Sequence, residues 1–174
     1  MMSYEETWRI SMNNGYVQVF CGNGEGKSSA AIGKGILSAI DGKEVILVQF
    51  MKEKNEDETR FFQRLEPEIK LFRFEKNDIS FNELSEEHKK EETTNIRNGL
   101  NYAKKALSIG ECDVLILDEV LGLVDEGIID CSDLIPILEA RTEDVTVFLT
   151  GIVMPEELKK YVDIVSNIET TYTK

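Results

Sequence analysis

Residues Cys21–Ala31 read CGNGEGKSSAA, a spacing of glycine, lysine and hydroxyl suited to holding a polyphosphate. The standard phosphate loop is G-x-x-x-x-G-K-[ST]. Counted back from Lys27, its first glycine would fall at position 21, which is Cys21; the glycines here alternate at Gly22, Gly24 and Gly26. The strict pattern fails by one residue, but its physical parts remain. Glycines permit the backbone conformations in which successive N–H groups converge on an anion. The segment follows an expected strand and opens an expected helix, whose N-terminus adds a positive dipole end. Lys27 supplies a point charge, and the Ser28 hydroxyl is placed to ligate a magnesium ion. Gly22, Asn23, Gly24, Glu25, Gly26, Lys27, Ser28 and Ser29 are therefore the candidate nucleotide-binding residues. A glycine-rich turn that merely joins a strand to a helix is the competing reading. Lys27-Ser28 at the right place and an acidic strand end elsewhere favour the phosphate site.

That acidic end is LILDEV, Leu115–Val120. An apolar strand closing on Asp118 and Glu119 is similar to the acidic segment that holds magnesium, directly or through water, in phosphate-loop proteins. The alternative is a strand end whose carboxylates are simply solvated. Asp118, Glu119 and Ser28 are the candidate metal residues, and Lys27 and Glu119 the candidate catalytic ones. The single histidine, His88, lies in a charged run and reads as a solvated surface residue. Cys21, Cys112 and Cys131 form no C-x-x-C pair, which argues against both a disulfide framework and a zinc site.

These residues need a scaffold, and the chain alternates short apolar runs with helical patterns. Strands are expected at Tyr16–Cys21, Glu44–Phe50, Ile69–Phe74, Asp113–Val120, Val145–Gly151 and Asp163–Glu169. KSSAAIGKGILSAI has helical spacing of apolar residues. An acidic loop, KEKNEDE, serves as a solvated segment or a lid before a short helix at Thr59–Leu65. A long helix spans Glu83–Leu107, its first half charged all round and its second half apolar on one face. DLIPILEAR is helical, with Pro136 limiting where it begins, and PEELKKYV is a helix with Pro155 in its first turn. Continuous apolar strands alternating with helices indicate an α/β fold: a mostly parallel sheet with helices on both faces, three layers in all. No linker or repeat divides residues 1–174, so one domain is expected, with 1–14 as an N-terminal extension. Ligands of such sheets gather at the carboxyl ends of the strands, where both candidate segments lie.

The protein has 174 residues, a net charge of −13, 41% hydrophobic and 30% charged residues. So much negative charge repels nucleic-acid backbone and anionic lipid, which excludes both as expected partners. No basic start followed by an apolar stretch marks a signal peptide, and no apolar run approaches the roughly 18 residues of a membrane span. A reducing cytoplasm is the expected location.

The stretch GYVQVFCGNGEGKSSAAIGKGILSAIDGKEVILVQFMK resembles the opening of the phosphate-loop type of ATP:corrinoid adenosyltransferase. That family carries G-N-G-K-G-K-[ST]-[ST]-A-A, then a strand ending Gln-Phe-hydrophobic-Lys, here Gln49, Phe50, Met51 and Lys52. The likeness continues through CDVLILDEV, GIID, VTVFLTG and VDIVSNIE. It implies a RecA-like phosphate-loop fold that exposes the adenosyl carbon of ATP, rather than the terminal phosphate, to attack. It further implies transfer of the 5′-deoxyadenosyl group to cob(I)alamin or a related corrinoid with release of triphosphate, magnesium as the metal, a homodimer, and a flavoprotein reductant as partner. Reduced cobalt is itself a strong nucleophile, so no general base is required. Glu25 stands where the family has lysine and Ile152 where it has arginine, which predicts weaker ATP binding or a different anionic ligand. The family's Phe-x-Trp on the corrinoid side corresponds best to ISFNEL, with Phe81 as its aromatic and no tryptophan after it. Trp8, the single tryptophan, reads as a packing residue. The chain stops at Lys174 soon after VSNIE, where family members continue to Gly-Ile-Glu-aromatic. Two other readings stay open: a binding or regulatory member without transferase activity, and an ordinary nucleotide hydrolase using Asp118 or Glu119 to activate water.

Overall fold

The computed structural model describes residues 14–51, 55–74 and 81–174. Trp8, Lys52 and nearly all of the expected N-terminal extension lie outside the described residues, as do the start of KEKNEDE and Ile79-Ser80 of ISFNEL. Six short strands form the sheet: β1 Val17–Cys21, β2 Val45–Gln49, β3 Ile69–Arg73, β4 Val114–Asp118, β5 Thr146–Thr150 and β6 Ile164–Asn167. Their order is β3-β2-β4-β5-β1-β6, and every neighbouring pair is parallel. All five residues of β1, β2, β4 and β5 are buried. Strands covered on both faces need side chains of that kind at every position, not at alternate ones. β6, at an edge, alternates half-buried and exposed instead.

Helices α1 (Lys27–Ile40) and α2 (Glu56–Gln63) lie on one face. Ala31 and Phe62 pack there with Phe20, Leu47, Ile116 and Phe148. Helices α3 (Glu86–Ile109), α4 (Val120–Asp125) and α5 (Cys131–Glu139) cover the other face. Leu100, Ala103, Leu121, Leu134 and Ile137 join Val48, Leu117 and Leu149 in that larger core. The three-layer α/β architecture is the one expected.

Local chemistry moves several boundaries. α2 starts earlier than Thr59, because Asn55 caps it by accepting the Glu58 N–H at 3.0 Å, and Glu56–Glu58 suit the positive helix end. Part of the expected acidic loop is therefore a first helical turn. α3 starts after Ser85, whose hydroxyl accepts from the His88 N–H, and ends at Gly110 in a left-handed conformation. Its first half is not solvated all round: Glu92 is only 4% exposed. α4 was not expected and follows β4 after one residue. α5 begins at Cys131, upstream of Asp133, and contains Pro136. Asp133 accepts the Asp130 N–H at 3.0 Å, a reciprocal N-terminal cap that fixes the start despite the proline. Residues Glu156–Tyr161 form a 3-10 helix, not an α-helix, and Pro155 precedes it instead of entering it. A six-residue segment after a proline, with Leu158 as its one fully buried side chain, favours the tighter turn.

Candidate functional site: a phosphate loop facing an acidic strand end

The loop after β1 and the acidic end of β4 sit on the same edge of the sheet with β5 between them. Two interstrand spacings put them roughly 10 Å apart. The expectation that both segments face one edge is met by the topology.

The three alternating glycines have different tasks. A Cβ on Gly22 would lie 2.3 Å from the Ile168 carbonyl oxygen, and one on Gly24 would lie 2.7 Å from the Glu169 carbonyl carbon. Both glycines are small because the backbone after β6 lies against the loop. The amide of Gly24 donates to the Ile168 oxygen and that of Gly22 to the Ile152 oxygen, each at 2.8 Å. Those two N–H groups are thus committed to the protein. Gly26 has open space around it but a φ of 100°, and it caps α1. A left-handed residue there turns the chain into the helix. The first-turn amides of α1, at Lys27, Ser28 and Ser29, have no intrahelical acceptor and present the positive end of the helix, where an anion is favoured.

Lys27 Nζ donates to the Gly24 carbonyl at 2.7 Å, so the ammonium lies folded over the loop. Burial pushes the Cys21 thiol up, and the nearby Lys27 charge partly offsets it. Cys21 is a buried free thiol, as read from the sequence. Asn23, Glu25 and Ser29 are exposed, and Lys27 and Ser28 half-buried. The Glu25 amide reaches the Thr170 hydroxyl at 3.4 Å.

Asp118 and Glu119 differ sharply. Asp118 is fully buried. Its Oδ1 accepts from the Thr150 hydroxyl at 2.8 Å and its Oδ2 from Gln49 Nε2 at 3.2 Å. Glu119 is left-handed, with φ 60°, and its N–H donates to the Thr150 hydroxyl oxygen at 2.7 Å. Gln49 Oε1 in turn accepts from Arg73 Nε at 2.8 Å, and the Arg73 guanidinium continues to Thr59 and Glu58. Gln49, Arg73 and Thr150 were not among the candidate site residues. They end their strands at the same level as Asp118: Gln49 is in register with both Arg73 and Asp118. A polar residue closing an otherwise apolar parallel strand was the available signal.

Among the described residues, no group of three or more His, Cys, Asp or Glu is arranged to hold a metal ion. The oxygen donors on this edge, the Ser28 hydroxyl and the Glu119 carboxylate, are hard ligands that suit magnesium completed by water and phosphate oxygens. Phe81 begins a 3-10 turn ahead of α3 and packs half-buried on the larger core. Ile152 and Val153, just past β5, are each more than half exposed. No helix among the described residues is long and apolar enough to cross a membrane.

Residues 13–173 match the family model described as ATP:corrinoid adenosyltransferase BtuR/CobO/CobP. The Corrinoid adenosyltransferase of Escherichia coli (strain K12) is 28% identical over 154 residues, 88% of this chain and 76% of that one. The Corrinoid adenosyltransferase CobA of Salmonella typhimurium (strain LT2) is 27% identical over the same shares. A solved DNA replication initiation factor aligns with 95% of this chain at 18% identity and a TM-score of 0.45; the chain spans 44% of its length. With the shortened phosphate loop and the acidic strand end on one sheet edge, the match across residues 13–173 shows that this chain belongs to the ATP:corrinoid adenosyltransferase family.

Proposed function

We propose that the protein transfers the 5′-deoxyadenosyl group of ATP to the reduced cobalt of a corrinoid, cob(I)alamin or a near relative, and releases triphosphate. One observation carries the reading: in a chain of this family, the free first-turn amides of α1 and Lys27 share a sheet edge with Glu119. The cobalt electron pair attacks C5′ of ATP. The C5′–O bond breaks, the pair in that bond leaves with triphosphate, and the new Co–C bond oxidises cobalt from Co(I) to Co(III).

The chain's own residues bind and align. The amides of Lys27, Ser28 and Ser29 and the Lys27 ammonium hold the polyphosphate and stabilise charge growing on it as it departs. Ser28 and Glu119 would hold Mg2+, which neutralises phosphate charge when bound. Asn23 and Glu25 flank the phosphates from the exposed side of the loop, and Phe81 lies toward the corrinoid. The reading also takes a second copy of this chain as partner, a flavoprotein as electron source for cobalt, and the cytoplasm as location.

Incubation with ATP, chemically reduced cobalamin and Mg2+ is expected to yield adenosylcobalamin and intact triphosphate. ATP binding without adenosylcobalamin overturns the transferase reading and leaves a binding or regulatory member. That second reading draws on Glu25 at the exposed tip of the loop and on Ile152 in place of a cation. Orthophosphate released without cobalamin indicates a hydrolase.

A further inference from the structure

A row of polar side chains crosses the carboxyl end of the sheet beneath the site. Arg73 on β3 donates to Gln49 on β2, Gln49 donates to Asp118 on β4, and Thr150 on β5 donates to the same carboxylate. Gln49, Asp118 and Thr150 are each fully buried. The direction of every bond is fixed by chemistry. A guanidinium only donates and a carboxylate only accepts. Arg73 therefore orients the Gln49 amide, which turns its NH2 to Asp118. Asp118 accepts the one hydrogen bond the Thr150 hydroxyl can donate, which leaves the Thr150 lone pairs to accept from another donor. That donor is the Glu119 N–H at 2.7 Å.

Glu119 sits at φ 60°, a conformation an L residue keeps only where its surroundings hold it. It is also the residue at which β4 stops and α4 starts, so its backbone angle decides where its carboxylate goes. Asp118, with both oxygens engaged and no exposure, is poorly placed to meet a metal itself.

We propose that Thr150, oriented by Asp118, is a positioning residue that pins the Glu119 backbone and so aims its carboxylate at the nucleotide-bound metal. Asp118 acts through Thr150, and Gln49 with Arg73 supports Asp118 from the opposite side. This rests on the reading of Glu119 as the metal-holding carboxylate.

The test is a Mg2+ titration of binding of a fluorescent ATP analogue to the full chain, with thermal melting and adenosyl transfer measured on the same samples. Thr150→Val, which keeps shape but loses the hydroxyl, is expected to raise the half-saturating Mg2+ concentration by about 10-fold or more. Its affinity for the analogue in EDTA stays near wild type. Thr150→Ser, which restores the hydroxyl, returns the Mg2+ midpoint to within about 3-fold, and Arg73→Met at the outer end shifts it by about 2–5-fold. An unshifted Thr150→Val midpoint overturns the proposal. So does a Thr150→Ser variant as impaired as the valine, or a parallel loss of metal-free binding. If Thr150→Val does not melt cooperatively, Arg73→Met decides, and a wild-type midpoint there overturns it. Wild-type protein that binds the analogue with Mg2+ but transfers nothing refutes the function reading alone. Normal transfer with an unshifted Thr150→Val refutes the positioning role alone.

Discussion

At the scale of single residues, charge decides the site. The Lys27 ammonium reaches over the glycine-rich turn, where it bonds the Gly24 carbonyl. Under the proposed function it exchanges that neutral partner for phosphate oxygens, and bonds to charged groups are the stronger kind. Lys27→Ala is expected to weaken ATP binding by about 10- to 100-fold, the equivalent of roughly 1.5–3 kcal/mol, as read by calorimetric titration. Glu25 acts in the opposite direction. It is exposed at the tip of the loop, so its repulsion is screened by solvent and salt. Glu25→Lys removes a repulsion and adds an attraction, which tightens ATP binding by about 3- to 10-fold at low ionic strength. Repeating the titration in high salt should shrink that gain.

At the scale of elements, the loop is shaped by the segment packed on it. Gly24 is needed because the Glu169 backbone occupies the place of a side chain. Backbone cannot swing aside as a flexible side chain would, so Gly24→Ala must separate the loop from the residues after β6. The expected cost is about 1–3 kcal/mol in a denaturant melt, with loss of ATP binding. Gly26→Ala meets no atoms and pays only for its left-handed φ. It is expected to cost about 1 kcal/mol, so Gly24→Ala should be the more damaging of the two.

At the scale of the whole molecule, two packed faces leave buried groups whose ionisation opposes folding. Cys112, two residues before β4, is 4% exposed, and its thiol is pushed up to about 12 by burial, with the Glu111 and Asp113 charges adding to the effect. Burial chiefly, with Glu111 beside it, pushes the Tyr102 hydroxyl up as well. Between the ordinary thiol value of 9.0 and about 12, the folded chain keeps a proton that the unfolded chain has released. The contribution of Cys112 to stability is therefore full below pH 9 and falls as pH rises through that window. Thermal melts across pH 8–11 are expected to show the decline, and Cys112→Ala to make it shallower while leaving the part due to Tyr102, at the cost of a small cavity, about 1 kcal/mol. A decline equally steep in Cys112→Ala would assign it to other groups.

The sequence by itself determined the sheet and its two coverings, because fully apolar strands and 3.6-periodic helices declare their burial locally. It also determined that a glycine-rich loop carrying lysine and hydroxyl joins a strand to a helix, and that another strand ends in two acids. Only the tertiary structure decided what those acids do. Asp118 and Glu119 are neighbours in the chain, yet one is sealed between Gln49 and Thr150 while the other turns out of the sheet. Those partners lie 69 and 32 positions away along the chain from Asp118, and strand register alone brings them together. The alternating glycines carry the same lesson. Their spacing implied amides turned to an anion, but the amides of Gly22 and Gly24 bond residues 152 and 168. Which backbone passes close to a loop is a property of sheet order, and β6 reaches β1 only because the chain's last strand adds at that edge.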